Sequence, residues 1–185
     1  MKKLIAKFIY FLSGWKLKDP DDLELIRRSV MLAAPHTSNW DLIYALGGFW
    51  LMGVDVKYFI KDGYTKSILG FLFKWTGAIG VNQKQNTQLS KYAIKLFKER
   101  KDLVLLVPAE GTRQAVNKWR TGFYTIADTA KVPITLGYLD YKNKESGVAG
   151  LVAPSGDFNN DMEKIQEFYS PEQAKFPNQY NPKIY

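Results

Sequence analysis

The run Leu103–Val107, LVLLV, decides the fold of this chain, and it lies between Asp102 and Pro108. Five consecutive apolar residues without alternation are typical of a strand that is buried on both faces. Such strands belong to sheets that carry helices on both sides. The run therefore predicts a central strand of an α/β sheet.

Helical and extended patterns alternate on both sides of this run within the 185 residues. Apolar spacing and capping residues predict helices at residues 21–28, 41–53, 66–75, 86–100, 123–130 and 161–169. Short apolar runs predict further strands at residues 29–34, 54–60, 134–141 and 148–153, with a brief one near Val81. This alternation favours an α/β sandwich with a largely parallel, mixed central sheet flanked by helices. One domain over residues 1–185 suffices, and residues 171–185 are expected to form an irregular tail.

Residues 1–18 have the pattern of an amphipathic helix. Lysines flank a set of apolar residues at helical spacing: Leu4, Ile5, Phe8, Ile9, Leu12 and Trp15. The pattern fits a helix that lies in a membrane interface, and equally a helix that packs on the domain. No stretch of the sequence reaches the ~18 apolar residues that a spanning helix needs.

The net charge of +8 favours an anionic partner, which is nucleic acid, an acidic protein or the surface of a bilayer. The lysines are dispersed rather than clustered between aromatic residues, so a nucleic-acid groove is the least favoured of these. The chain has no cysteine, which excludes disulfides, thiolate catalysis and cysteine-ligated metals. No metal site is indicated.

His36 is the only histidine, so a reaction that needs a side chain titrating near neutral pH must use it. It follows the predicted strand at 29–34, and Asp41 falls in the first turn of the next helix. From there the carboxylate can fold back and orient the imidazole as a base. Ser38 is better explained as a helix cap, so a substrate hydroxyl is the expected nucleophile. Taken alone, such a pair is more often a hydrogen-bonded histidine at a strand end.

The segment Glu110-Gly111-Thr112-Arg113 directly follows the strand at 103–107. Ligands of open α/β sheets bind at the carboxyl ends of the strands. Glycine lets the backbone come close to a ligand, and the arginine fork matches phosphate oxygens. Taken alone, the segment is more often a solvated turn with a salt bridge.

Together, the H-x-x-x-x-D segment from His36 to Asp41 and the E-G-T-R segment resemble the glycerolipid acyltransferases, the lysophosphatidic acid acyltransferase family. The order and the spacing of the two motifs match. The resemblance covers roughly residues 30–140 and continues in two further elements, Trp119-Arg120-Thr121-Gly122-Phe123 and Val132-Pro133-Ile134.

This resemblance implies an acyltransferase fold and the transfer of a fatty acyl group to the hydroxyl of a lysophospholipid such as 1-acylglycerol-3-phosphate. The implied donor is acyl carrier protein or acyl-coenzyme A, with no bound cofactor and no nucleic-acid partner. The implied location is peripheral, on the cytoplasmic face of the cell membrane. The resemblance makes His36 the general base and Asp41 its orienting partner. It also implies binding or shaping of the acceptor's phosphate pocket by Glu110, Gly111, Thr112 and Arg113, and an acyl site bordered by Pro133.

The chain departs from the family pattern at Gln83, which stands where the family usually has an arginine thought to hold the acceptor phosphate. Lys84 is the candidate substitute, although a lysine lacks the bidentate fork. Gln83 and Lys84 are therefore both candidate acceptor-binding residues. The departure leaves open an alternative, acyl transfer to a non-phosphorylated lyso-lipid of the aminolipid type. A less favoured alternative is a non-catalytic basic module that binds membranes or nucleic acid.

Overall fold

The structure is a computed structural model that describes residues 1–18, 20, 22–82 and 86–185. In this part of the chain the strands are β1 Lys16–Leu17, β2 Arg28–Ala33, β3 Val56–Lys61, β4 Ala78–Val81, β5 Leu103–Val107, β6 Ile134–Asp140 and β7 Glu145–Val152. The helices are α1 Lys2–Ser13, α2 Leu23–Ile26, α3 Trp40–Met52, α4 Asp62–Lys66, α5 Gly70–Thr76, α6 Asn86–Glu99, α7 Gly122–Ala130 and α8 Phe158–Phe168. Two short 3₁₀ helices, Pro171–Gln173 and Pro177–Gln179, follow α8.

The strands form one sheet in the order β1-β7-β6-β2-β5-β3-β4. All neighbours pair in parallel except β6 and β7, which are antiparallel. β5 pairs with β2 on one side and with β3 on the other, and its Val104 and Leu105 are almost completely buried. The predicted fold class, a largely parallel mixed sheet flanked by helices, is confirmed.

Helices cover both faces of the sheet. On one face α3 contributes Leu46, Phe49 and Trp50 to a core shared with β2 and β5. On the other face the core contains residues of α6, α7 and α8, among them Phe97 and Phe123. The carboxyl end of β2 lies between these layers, and the loop that leads into α3 starts there.

The N-terminal helix packs on the domain along one side only. Ala6 and Tyr10 of α1 are buried, and a side chain at Gly47 of α3 would lie 2.6 Å from the Tyr10 ring, so a glycine there permits the close approach. The Tyr10 hydroxyl donates to the Tyr44 carbonyl of α3 at 2.7 Å. The opposite side of α1 exposes large apolar residues such as Phe8. Within the described residues, no helix combines the length and the apolar character that crossing a bilayer requires.

Three segments differ from the sequence-based expectation. The helix predicted at residues 66–75 corresponds to α5, which begins only at Gly70, and the separate short helix α4 precedes it. The backbone at Gly70 lies against the Thr65 carbonyl of α4. The helix predicted at 21–28 is only the short α2. Residues 171–185 follow no repeating pattern, yet Tyr180 and Ile184 are buried in the core. Local periodicity could not reveal this burial because turns separate the buried positions.

Candidate active site

His36 and Asp41 form a hydrogen-bonded pair at the carboxyl end of β2. The imidazole Nδ1 lies 3.1 Å from Asp41 Oδ2, and Asp41 is the second residue of α3. A carboxylate only accepts hydrogen bonds, so we assign the hydrogen to Nδ1 and leave Nε2 as the acceptor. The imidazole thus has the orientation of a general base that is held by a buried acid.

Asp41 is fixed from several directions. Its Oδ2 also accepts the backbone N–H groups of Thr37 and Ser38, each at 2.9 Å. Its Oδ1 accepts the hydroxyl of Tyr141, which follows β6, at 2.6 Å. The pKa of Tyr141 is raised, mainly by burial and to a lesser extent by the Asp41 carboxylate. The hydroxyl therefore stays protonated and donates. Four donors therefore hold a side chain that is only 5% exposed.

Glu110 lies behind the pair rather than at the surface. Its Oε2 accepts the backbone N–H of His36 at 2.7 Å, and its Oε1 has no hydrogen-bond partner among the described residues. Burial raises the pKa of Glu110 to about 7, with a smaller contribution from the Asp41 charge. In this position Glu110 holds the loop that carries His36.

We expect Glu110 to make the free energy of unfolding fall as the pH rises from about 4.5 to about 7. In that window the folded protein keeps a proton that the unfolded chain releases, so the stabilisation is complete below the window and lost above it. In the wild type, this effect makes the free energy of unfolding on the order of 2 kcal/mol lower at about pH 8 than at about pH 5. Glu110→Gln should abolish this pH-dependent difference. Denaturant unfolding of both proteins at the two pH values measures it, and equal pH dependence in both would contradict the assignment.

One cavity of about 380 Å³ joins the two motifs. His36, Asp41, Gly111, Thr112 and Arg113 all line it. Its remaining wall is largely apolar and comes from α3 and the sheet, with Leu42, Ala45, Phe49, Met52, Ile60, Leu106, Leu139 and Val148. Arg113 is exposed whereas Phe49 and Leu106 are buried, so a polar, solvent-accessible part leads into an apolar interior.

Pro133, which was predicted to border the acyl site, lies away from the His36–Asp41 pair. Pro133 immediately precedes β6, and its carbonyl accepts the N–H of Val30 near the start of β2, so it lies at the end of the sheet opposite His36. Gln83 and Lys84 fall outside the described residues. In the described part of the chain no three metal-ligating side chains are grouped to hold an ion.

Sequence reasoning missed Tyr141 and Thr37 as parts of the site. Tyr141 is 100 residues from Asp41 along the chain, so only the position of β6 beside β2 brings its hydroxyl there. Thr37 lies inside the H-x-x-x-x-D segment, but the partner of its hydroxyl is Phe176, a distant residue. The one available signal for Tyr141 was its position at the carboxyl end of the strand predicted at residues 134–141.

Comparison with known proteins identifies the fold. No protein-family model matches the chain, and no curated protein matches it in sequence. Among solved structures, the chain is similar to the crystal structure of the 1-acyl-sn-glycerophosphate (LPA) acyltransferase PlsC from Thermotoga maritima, with a TM-score of 0.63 and 14% sequence identity. The match covers 90% of this chain and 74% of that one. The two chains therefore share a fold, as the sequence predicted.

Proposed function

We propose that the protein is an acyltransferase that moves a fatty acyl group from a thioester donor to the hydroxyl of a lysophospholipid such as 1-acylglycerol-3-phosphate. The observation that carries this proposal is the 3.1 Å contact between His36 and Asp41 on the wall of a largely apolar cavity that Arg113 also lines. The shared fold with a named LPA acyltransferase supports it.

In the proposed reaction, His36 Nε2 takes the proton of the acceptor hydroxyl as the oxygen attacks the thioester carbonyl carbon. Asp41 stabilises the imidazolium that forms. The C–S bond then breaks, the new ester forms, and the imidazolium returns its proton to the departing thiolate. No protein nucleophile and no covalent enzyme intermediate are needed.

The apolar interior of the cavity suits the acyl chain. Leu42, Ala45, Phe49 and Met52 recur along one side of α3, and the same helix begins at the catalytic pair. A hydrocarbon chain placed along α3 is removed from water, and burial of each methylene contributes about 0.8 kcal/mol. Its thioester carbon then lies at the polar end of the cavity, beside His36.

Arg113 suits the acceptor's phosphate. It lines the cavity, it is exposed, and its guanidinium forms no ion pair within the described residues. Its planar fork is therefore available for bidentate binding of phosphate oxygens.

We expect Arg113→Ala to raise the KM for 1-acylglycerol-3-phosphate about 10- to 100-fold with a smaller change in kcat, because it removes a charge-assisted contact to the acceptor. Steady-state kinetics with varied acceptor measure this effect. Lys118→Ala is the matched control. Lys118, like Arg113, is an exposed cation in the loop after β5, but it does not line the cavity. Equal KM values for Arg113→Ala and the wild type would remove Arg113 from the acceptor site.

We also propose that the protein binds the membrane surface through its exposed apolar helices. Exposed apolar residues occur on α1 and around α5: Leu4, Phe8, Phe11, Leu12, Ile68, Leu69, Phe71 and Leu72. The two helices are neighbours, because Lys2 lies 5.4 Å from the Trp75 ring of α5. Exposed lysines lie on the same helices, Lys3 and Lys7 on α1 and Lys74 on α5, and Lys66 ends the preceding helix α4. Apolar residues flanked by lysines are typical of helices that insert into an anionic interface.

We expect Phe8→Ser combined with Phe11→Ser to weaken binding to vesicles that contain anionic lipid by more than tenfold. Each substitution removes a phenylalanine whose burial in the membrane contributes well over ~1 kcal/mol to the binding free energy. Vesicle flotation measures the bound fraction. Leu25→Ser is the control, because Leu25 is also an exposed apolar residue but lies on α2. Equal binding of the double variant and the wild type would contradict a membrane role for α1.

The function is tested by mass spectrometry of the products that the purified protein forms from mixed lyso-lipids with acyl carrier protein and coenzyme A thioesters. A diacyl product from 1-acylglycerol-3-phosphate supports the proposal. A product from a lyso-aminolipid alone would reject the phosphate-bearing acceptor and keep acyl transfer. No acyl product with either donor would reject acyl transfer.

A further inference from the structure

The C-terminal residues 171–185 run along the loops that form the site. The N–H of Tyr141, after β6, donates to the Gln173 carbonyl at 3.1 Å. The N–H of Phe176 donates to Thr37 Oγ1, beside His36, at 3.2 Å. The N–H of Trp119, after β5, donates to the Ile184 carbonyl at 2.7 Å. This segment therefore contacts the loops that follow β6, β2 and β5, in that order.

Gln179 joins two of these loops with a single side chain. We assign the amide nitrogen, rather than the amide oxygen, to the position that faces two carbonyls, because an oxygen there would meet only acceptors. In this orientation the nitrogen donates to the Arg113 carbonyl at 2.7 Å and to the Thr37 carbonyl at 3.2 Å. A primary amide has two N–H donors, so one Gln179 serves both carbonyls. One carbonyl belongs to the loop of the base, and the other belongs to the loop of the acceptor-binding arginine.

The Thr37 carbonyl is directly coupled to the catalytic pair. The peptide group that carries it also carries the N–H of Ser38, which donates to Asp41 Oδ2. The N–H of Thr37 donates to the same oxygen, and its hydroxyl accepts from Phe176. Thr37 is thus held at its N–H, hydroxyl and carbonyl while being 3% exposed. A shift of its carbonyl must move the donors that orient Asp41.

We infer that Gln179 is a positioning residue that fixes the separation between the His36–Asp41 pair and the Arg113 loop. The catalytic meaning of this inference rests on the proposed function. Misplacement of reacting groups by about 1 Å lowers rates on the order of 10²-fold, so a bridge between the two loops has a measurable effect on turnover.

The test compares Gln179→Glu with Asn181→Asp. The Asn181 side chain also donates to two carbonyls, those of Val116 and Asn117, at 3.0 and 3.4 Å. Both substitutions replace an amide donor with a carboxylate that faces two carbonyl acceptors, but only Gln179 bridges to the loop of His36. We expect kcat to fall roughly 10- to 100-fold in Gln179→Glu and less than about threefold in Asn181→Asp. Equal losses in both variants would mean that the segment acts only by supporting the fold, and would overturn the inference.

The His36 imidazole provides a readout that does not depend on activity. As the only histidine, it gives one set of imidazole signals in the NMR spectrum of histidine-labelled protein. Gln179→Met, which removes the donor without adding charge, should shift or broaden these signals, whereas Asn181→Leu should leave them unchanged. An unchanged imidazole spectrum in Gln179→Met would overturn the inference even if activity fell. If the wild type transfers no acyl group, the proposed function fails, and the imidazole signals still decide whether Gln179 positions the loop.

Discussion

His36→Ala should lower the turnover of acyl transfer on the order of 10² to 10⁴-fold, the usual contribution of a general base. No second histidine and no cysteine is present to take over the proton. The variant should stay folded, because Asp41 still accepts the N–H groups of Thr37 and Ser38 and the hydroxyl of Tyr141. Initial rates at saturating acceptor measure the loss, and thermal unfolding monitors the fold.

Added imidazole supplies the control for this variant. A free base that diffuses into the vacated space should restore part of the turnover of His36→Ala and none of that of a variant impaired in acceptor binding, such as Arg113→Ala. A His36→Ala protein that transfers acyl groups at the wild-type rate would reject the proposed mechanism.

Asp41→Asn should reduce kcat by a comparable factor, on the order of 10² to 10⁴-fold, although it preserves the shape of the side chain. The negative charge that stabilises the imidazolium is lost. The carboxamide oxygen keeps the Oδ2 position, because an NH₂ group there would face the N–H groups of Thr37 and Ser38. The loss should appear in kcat rather than in KM, since Asp41 acts on the base and not on the acceptor.

Tyr141→Phe is the matched comparison for Asp41→Asn. It removes one donor to Asp41 Oδ1 but leaves the carboxylate charge and the His36 contact in place. We expect kcat to fall by about tenfold or less, because only one hydrogen bond to a charged group is removed. An Asp41→Asn variant no slower than Tyr141→Phe would show that the charge of Asp41 is not used in the reaction.

The sequence predicted the architecture and the approach of the two motifs because both depend on local features. Val104 and Leu105 are buried as an uninterrupted apolar run requires. His36 and Arg113 follow neighbouring parallel strands, β2 and β5, and such strands bring their carboxyl ends to one edge of the sheet.

The rest depends on long-range packing. The sequence gives no sign that Glu110 turns inward to hold the His36 backbone instead of facing the cavity, since this depends on the depth of its loop. The contacts of Tyr141 and Gln179 with the site require the strand order and the path of the C-terminal segment. The roles predicted for Gln83 and Lys84 stay predictions.

The close packing of the Tyr10 ring of α1 against Gly47 of α3 has a mechanical consequence. Gly47 and Asp41 lie on the same helix, separated by ~9 Å at a rise of 1.5 Å per residue. An intact helix transmits displacement instead of absorbing it, so in the proposed membrane-bound state a tilt of α1 would move the His36–Asp41 pair with it. The height of the imidazole above the lipid surface would then be set by helix geometry, and lipids of different headgroup thickness would meet it at different depths.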